Sequence, residues 1–196
     1  MITRETLKKE WATLANIITY IRFGFSPLPA AIIFVGWDVG WLRWSAAVIF
    51  GLVALTDLVD GYYARKYNQV TDLGKLMDPF VDKVLVLATL FAMCWIDLQN
   101  TLILGMTIII ALREILVTWL RFVANKQGVV ISANKLGKAK MLLQSITVFL
   151  LLMPPISDIV NYIIIGMIIV TVWITVLSGM VYVVKYLERR RFVDEK

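Results

Sequence analysis

The sequence predicts an all-helical integral membrane protein of six spans, and three observations carry that prediction. First, 60% of its 196 residues are hydrophobic and only 17% are charged, with a mean hydropathy of +0.78. A soluble domain runs at about 45–50% apolar and about 25% charged, and a water-soluble fold of this size lacks the interior to hide the excess. Second, the apolar residues form six runs spread along the whole chain, which excludes a single anchor and, with the low charge, disorder. Third, the basic residues cluster in alternate connections between those runs.

Crossing a bilayer as a helix takes about 20 mainly apolar residues. The qualifying stretches are 13–37, 41–59, 76–95, 101–123, 136–153 and 159–186. Ahead of the first, residues 1–12 form a charged juxtamembrane segment whose Arg4-Glu5-Thr6-Leu7-Lys8-Lys9-Glu10-Trp11 predicts a short interfacial helix. Residues 13–186 then make one six-helix domain, and 187–196 a basic tail. No small-residue cleavage site follows a short apolar core, so a cleavable signal is not expected. Asp97-Leu98-Gln99-Asn100 and Pro154-Pro155-Ile156-Ser157-Asp158 supply turn chemistry between spans.

Six spans put both termini on one side of the membrane. Arg4, Lys8 and Lys9 precede the first span, and Arg65, Lys66 and Lys75 lie in the second connection. Lys126, Lys135, Lys138 and Lys140 lie in the fourth, and Lys185, Arg189, Arg190, Arg191 and Lys196 close the chain. The opposite connections, around Asp38, Asp97 and Asp158, offer only Arg43. The positive-inside rule makes both termini cytoplasmic. The longer connections, near 61–75 and 124–137, fall on that side, which is where function is expected.

Missing residue types narrow the chemistry. Cys94 is the only cysteine and histidine is absent, which excludes an intrachain disulfide, thiolate or histidine metal sites, and nucleophile–histidine machinery. Carboxylates, Lys, Arg and hydroxyls remain, and carboxylates favour hard divalent cations. The net charge of +6 and pI near 9.5 suit anionic lipid headgroups and cytoplasmic loops. They fit nucleic acid poorly, since the basic residues are dispersed over membrane-proximal connections.

Four of the fourteen acidic residues, Asp57, Asp60, Asp78 and Asp82, sit where the second and third spans meet the cytoplasmic face. Insertion scales put Asp at a helix centre at roughly 2.5–3.5 kcal/mol, so four together need compensation, and a divalent cation supplies it. Asp57, Asp60, Gly61, Ala64 and Arg65 share one helical face, and Gly74, Asp78 and Asp82 share another. Gly61, Ala64 and Gly74 keep those faces free of bulk. Pro79 is expected near the start of its span, where a missing N–H does little harm. Any one of these aspartates reads equally well as a helix cap or a surface ion pair; all four on facing stripes do not.

Asp57-x-x-Asp60-Gly61-x-x-Ala64-Arg65, eight residues, then Gly74-x-x-x-Asp78-x-x-x-Asp82 resembles the full signature of the CDP-alcohol phosphatidyltransferases. The resemblance implies six transmembrane helices, a homodimer, and two divalent ions, Mg²⁺ or Mn²⁺, bound with a cytidine nucleotide at this motif. It makes Asp57, Asp60 and Asp78 metal ligands and Asp82 both ligand and general base. It makes Gly61, Arg65 and Gly74 contacts to CDP-diacylglycerol. Asn16-Ile17-Ile18-Thr19 resembles the family's Asn-x-x-Thr nucleotide contact, adding Asn16 and Thr19, with Thr71 at a phosphate.

The acceptor is read from the second half. Arg113 and Glu114 interrupt the fourth span, Arg121 follows about two turns on, and Lys135, Lys138 and Lys140 open the fifth. An intramembrane Arg with lysines at a helix start makes an anion site suited to a phosphorylated acceptor. Lys126 and Lys140 read instead as ordinary positive-inside residues. Arg113-Glu114-Ile-Leu-Val-Thr-Trp-Leu-Arg121 and Ser132-Ala-Asn-Lys135-Leu-Gly-Lys138-Ala-Lys140 resemble the bacterial branch of the family whose acceptor is glycerol 3-phosphate, as does Met77-Asp78-Pro79-Phe-Val-Asp82-Lys83. That likeness makes Arg113, Arg121, Lys135 and Lys138 the acceptor-phosphate ligands. It also implies the bacterial inner membrane as location. Inositol phosphate, serine or phosphatidylglycerol remain alternative acceptors. A cation transporter is the alternative from another class, although its broken helices and inverted repeats are not visible.

Overall fold

The computed structural model describes residues 14–66, 72–127 and 135–194; at 14–19, 57–66, 72–79, 82, 125, 135 and 191–194 only the backbone is described. Among the described residues there are seven helices and no strand. They are α1 (Leu14–Phe25), α2 (Leu28–Gly36), α3 (Gly40–Lys66), α4 (Asp72–Ile96), α5 (Thr101–Lys126), α6 (Lys135–Leu152) and α7 (Asp158–Asp194). Two compact units divide the chain, Met1–Ile96 with Val148–Pro154, and Asp97–Thr147 with Pro155–Lys196.

In the first unit, α1 and α2 pack on α3 and α4. The first apolar run, expected as one span over 13–37, is two helices because Pro27 and Pro29 have no N–H to give the ladder. The loss is partly repaired on the spot. Ser26 Oγ donates to the Phe23 carbonyl at 2.9 Å, the group that a residue-27 amide would have served. Ile33, Phe50, Val81, Leu90 and Met93 form a fully buried core, and Ala46 and Ala47 on α3 let the helices approach closely. Gly51 serves the same end, since a Cβ there would lie 3.3 Å from the Phe149 ring.

Arg43, the one basic residue expected in the outer connections, has a structural role. Arg43 donates to the carbonyls of Leu151, Leu152 and Met153 at 3.1, 3.3 and 2.6 Å, and its guanidinium lies 4.0 Å over the Trp37 ring. It thereby satisfies the orphan C-terminal carbonyls of α6 just before Pro154-Pro155 ends the helix. This exception to the charge asymmetry is a helix cap.

In the second unit, α5 lies along α7. Asn100 caps α5, its Oδ1 accepting from the Ile103 amide, as its place in the turn suggests. Val117, Leu120 and Ala124 of α5 bury against Tyr182 and Tyr186 of α7. The outward faces carry large apolar side chains: α5 exposes Leu112, Ile115, Trp119 and Phe122, and α7 exposes Ile159, Ile163, Ile169 and Trp173. An exterior of this kind belongs in lipid.

Thr101–Ala124 and Asp158–Arg190 are long and apolar enough to cross a bilayer alone. Tyr20–Gly36, Gly40–Thr56 and Lys83–Ile96 are shorter apolar stretches. Two boundaries also differ from expectation. Helix α4 starts at Asp72, so Pro79 sits inside the helix rather than in its first turn and has no N–H for the carbonyl four residues back. Helix α7 continues to Asp194, so the basic residues after 186 are helical up to that point.

Candidate active site

The backbone places the two halves of the acidic motif in two helices, with Asp60 of α3 and Asp78 of α4 each seven residues in sequence from the 67–71 connection. Asp57 and Asp82 lie a further three and four residues in, about one turn deeper. Helices α3 and α4 touch, and only residues 67–71 separate their ends. The four side chains are outside the described residues, so the fit to a metal rests on donor type and register. Four aspartates on two helices that touch, in a sequence without histidine, are a donor set of the type that suits a hard, oxygen-preferring divalent cation.

Of the nucleotide contacts expected from the resemblance, Asn16 and Thr19 lie one turn apart in α1, and Gly61, Arg65 and Gly74 lie in the helix ends that carry the acids. Thr71 is outside the described residues. Side chains of Asn16, Thr19 and Arg65 are likewise outside the description. Helix α1 packs against both α3 and α4.

The second unit contains a polar seam that sequence reading recognised only in part. Glu114, buried in α5, accepts from Arg113 Nη1 at 3.1 Å and pairs through the same Oε1 with the buried Lys140 ammonium of α6. Arg113 Nη2 donates to Ser178 Oγ of α7 at 3.1 Å, while the buried Arg113 Nε has no partner. Further along, Gln144 donates to Thr175 at 3.3 Å and Thr147 meets Thr171 at 2.7 Å. Tyr186 donates to Gln127 at 3.2 Å, and the buried Tyr182 hydroxyl is without a partner. The contacts of α6 ascend as those of α7 descend, so the two helices run antiparallel, as consecutive spans must.

Lys140, expected as an ordinary positive-inside lysine, is therefore a buried ion-pair partner in the second unit. Lys126 is exposed and lies 4.6 Å over the Phe122 ring, in keeping with the surface role expected of it. Arg121 and Lys138 are exposed; Arg113 is drawn against α7. Arg121, expected on the same side of the helix as Arg113, lies two turns plus about 80° further along α5, so the two are offset and not in line. Lys135 opens α6 with its side chain outside the description. Glu114, Lys140, Ser178 and Gln144 were not expected as site residues. Their signal is a pair of polar stripes on apolar helices at i, i+4, i+7: Lys140, Gln144, Thr147 on α6, and Thr171, Thr175, Ser178 on α7.

An all-helical chain with apolar exposed faces, four aspartates on two touching helices and a buried ion-pair cluster in the other unit has the make-up of a membrane enzyme. The chain belongs to the CDP-alcohol phosphatidyltransferase family, whose model matches residues 12–181. It is similar to the CDP-diacylglycerol–glycerol-3-phosphate 3-phosphatidyltransferase of Bacillus subtilis, with 37% identity over 86% of this chain and 92% of that protein. It is 31% identical to a probable phosphatidylglycerophosphate synthase of Mycobacterium tuberculosis over 90% of this chain and 82% of the relative. The Rickettsia prowazekii CDP-diacylglycerol–glycerol-3-phosphate 3-phosphatidyltransferase is 30% identical over 86% and 92%.

Proposed function

We propose that this protein transfers the phosphatidyl group of CDP-diacylglycerol to the hydroxyl of glycerol 3-phosphate, forming phosphatidylglycerophosphate and CMP. The observation that carries the reading is the likeness of the chain, over most of its length, to proteins named for this reaction, and the four aspartates lie in two helices that touch.

In this reading Asp57, Asp60, Asp78 and Asp82 hold two divalent ions, Mg²⁺ or Mn²⁺. Bound there, they supply charge neutralisation to the pyrophosphate and to the departing CMP. Asn16, Thr19, Gly61, Arg65, Thr71 and Gly74 hold the CDP moiety, and the glycines leave room for the nucleotide beside the helix backbone. Asp82 takes the proton of the acceptor hydroxyl, the general-base role that a chain without histidine leaves to a carboxylate. The hydroxyl oxygen then bonds to the lipid-bearing phosphorus as the bond to CMP breaks. Arg113, Arg121, Lys135 and Lys138 receive the acceptor's phosphate. The protein spans the bacterial inner membrane six times with both termini cytoplasmic and acts as a homodimer.

The test uses purified protein in detergent with both substrates. Phosphatidylglycerophosphate formation that requires Mg²⁺ or Mn²⁺ and stops on chelation supports the reading; no product with both substrates and metal present rejects it. Asp82→Asn is expected to abolish turnover while CDP-diacylglycerol still binds, and near-normal activity in that variant would remove Asp82 from the base role.

A further inference from the structure

The proposed acceptor site leaves open how an arginine inside a membrane span is kept in a geometry able to receive phosphate. An unrestrained guanidinium in this position would turn toward whatever carboxylate or carbonyl lies nearest, because every unmade hydrogen bond there is costly. In this protein Arg113 is held at three points. Glu114 Oε1 takes Nη1, Ser178 Oγ takes Nη2, and the aliphatic stem lies on α7 where Gly179 has no side chain. A Cβ at Gly179 would stand 3.3 Å from Arg113 Cγ, so the neighbour would have to shift by a few tenths of an ångström.

What these contacts leave is specific. Arg113 Nε is buried and undonated, although the side chain as a whole retains 13% exposure. The same Glu114 oxygen also holds Lys140, so one carboxylate joins two cations from two helices. Two cations thus share one carboxylate oxygen, and a guanidinium N–H left without a partner favours an anionic oxygen.

We propose that Glu114 is a positioning residue of the acceptor site: its carboxylate, backed by Ser178 and the bare backbone at Gly179, ties Arg113 to Lys140 and leaves the Arg113 Nε free for an oxygen of the acceptor's phosphate. This rests on Arg113 being a phosphate ligand, as proposed above. Glu114 itself does not touch the substrate; a phosphate would be repelled by it.

That repulsion gives the test a sign. If Glu114 acts only as a counter-charge, Glu114→Gln makes the cluster more positive and lowers the acceptor KM. If it acts by positioning, the same variant loosens both cations and raises the acceptor KM about tenfold or more, with the CDP-diacylglycerol KM within about twofold of wild type. Glu114→Asp, which keeps the charge and shortens the reach, is expected to behave like Glu114→Gln. Gly179→Ala leaves every charge in place and is expected to raise the acceptor KM several-fold, and to add nothing in an Arg113→Ala background.

Steady-state kinetics with glycerol 3-phosphate as the varied substrate read all four variants in the detergent-purified full chain. An unchanged or lowered acceptor KM in Glu114→Gln, with Arg113→Ala still raising it, overturns the positioning role alone. An unchanged acceptor KM in Arg113→Ala overturns the phosphate role of Arg113, and the positioning role with it. Equal effects of Gly179→Ala on both substrates' KM values also overturn the proposal, since a general packing defect does not discriminate between them.

Discussion

Arg43 and Arg113 are both arginines within apolar helices, and their surroundings assign them opposite tasks. Arg43 gives its donors to three backbone carbonyls and its face to Trp37, so its role is structural. Charged hydrogen bonds of this kind contribute roughly 1.5–3 kcal/mol. Arg43→Met is expected to lower unfolding stability in detergent by about 2 kcal/mol while leaving both substrate KM values unchanged; a thermal or chemical unfolding series beside a kinetic assay checks it. Arg113 retains an undonated Nε, and Arg113→Ala is expected to raise the acceptor KM at least tenfold with little change for CDP-diacylglycerol. An unchanged acceptor KM would count against its assignment. Sequence alone distinguished the two by topology, one outside the basic connections and one within a span. Lys140 was misread on the same ground, because a lysine near a cytoplasmic helix end looks like a topology marker until its burial against Glu114 is seen.

At the scale of elements, apolar runs located every helix, while the relations between helices were harder to read. Ser26-Pro27 broke the first run, a departure that proline chemistry explains but that the unbroken hydrophobicity of the segment concealed. Pro79 was assigned to a helix start because the apolar run begins at 76, whereas the helix begins at Asp72 in polar sequence. The spacing of the acidic motif was legible in the sequence, and the backbone places Asp57 and Asp60 in α3 and Asp78 and Asp82 in α4. The α6–α7 register was not, because the outer faces of both helices are also apolar and only three polar residues on each mark the inner one. Interhelical hydrogen bonds in membranes couple by about 0.6 kcal/mol on average. A double-mutant cycle on Thr147→Val and Thr171→Val, followed by unfolding in micelles, is expected to return a coupling of that order, and additive effects would show that the 2.7 Å contact adds nothing to stability. At Gly51 a valine would press on the Phe149 ring, with an expected cost of about 1–3 kcal/mol in the same assay.

For the whole molecule, the distribution of scarce charge organises the account. In the proposed function, the carboxylates of α3 and α4 serve metal and nucleotide, and the cations of the other unit's seam serve phosphate. Basic residues mark the proposed cytoplasmic side, and the one outer exception is consumed by a helix terminus. The absence of histidine, first a restriction, becomes informative once carboxylate and metal chemistry is the remaining route. Topology has its own test. Because Cys94 is the only cysteine and is buried, single cysteines placed at Gln99 and Glu195 in a Cys94→Ser background report the two sides. A membrane-impermeant thiol reagent applied to intact cells is expected to label the first and spare the second; the reverse pattern would invert the orientation.

The central claim, transfer of a phosphatidyl group to a phosphorylated glycerol, is tested most directly by an acceptor panel. The purified protein is supplied with CDP-diacylglycerol and Mg²⁺, and CMP release is measured with glycerol 3-phosphate, inositol phosphate, serine and phosphatidylglycerol in turn. The account predicts CMP release with glycerol 3-phosphate far above the others, matched one to one by phosphatidylglycerophosphate. Equal or greater CMP release with any of the other three would contradict it.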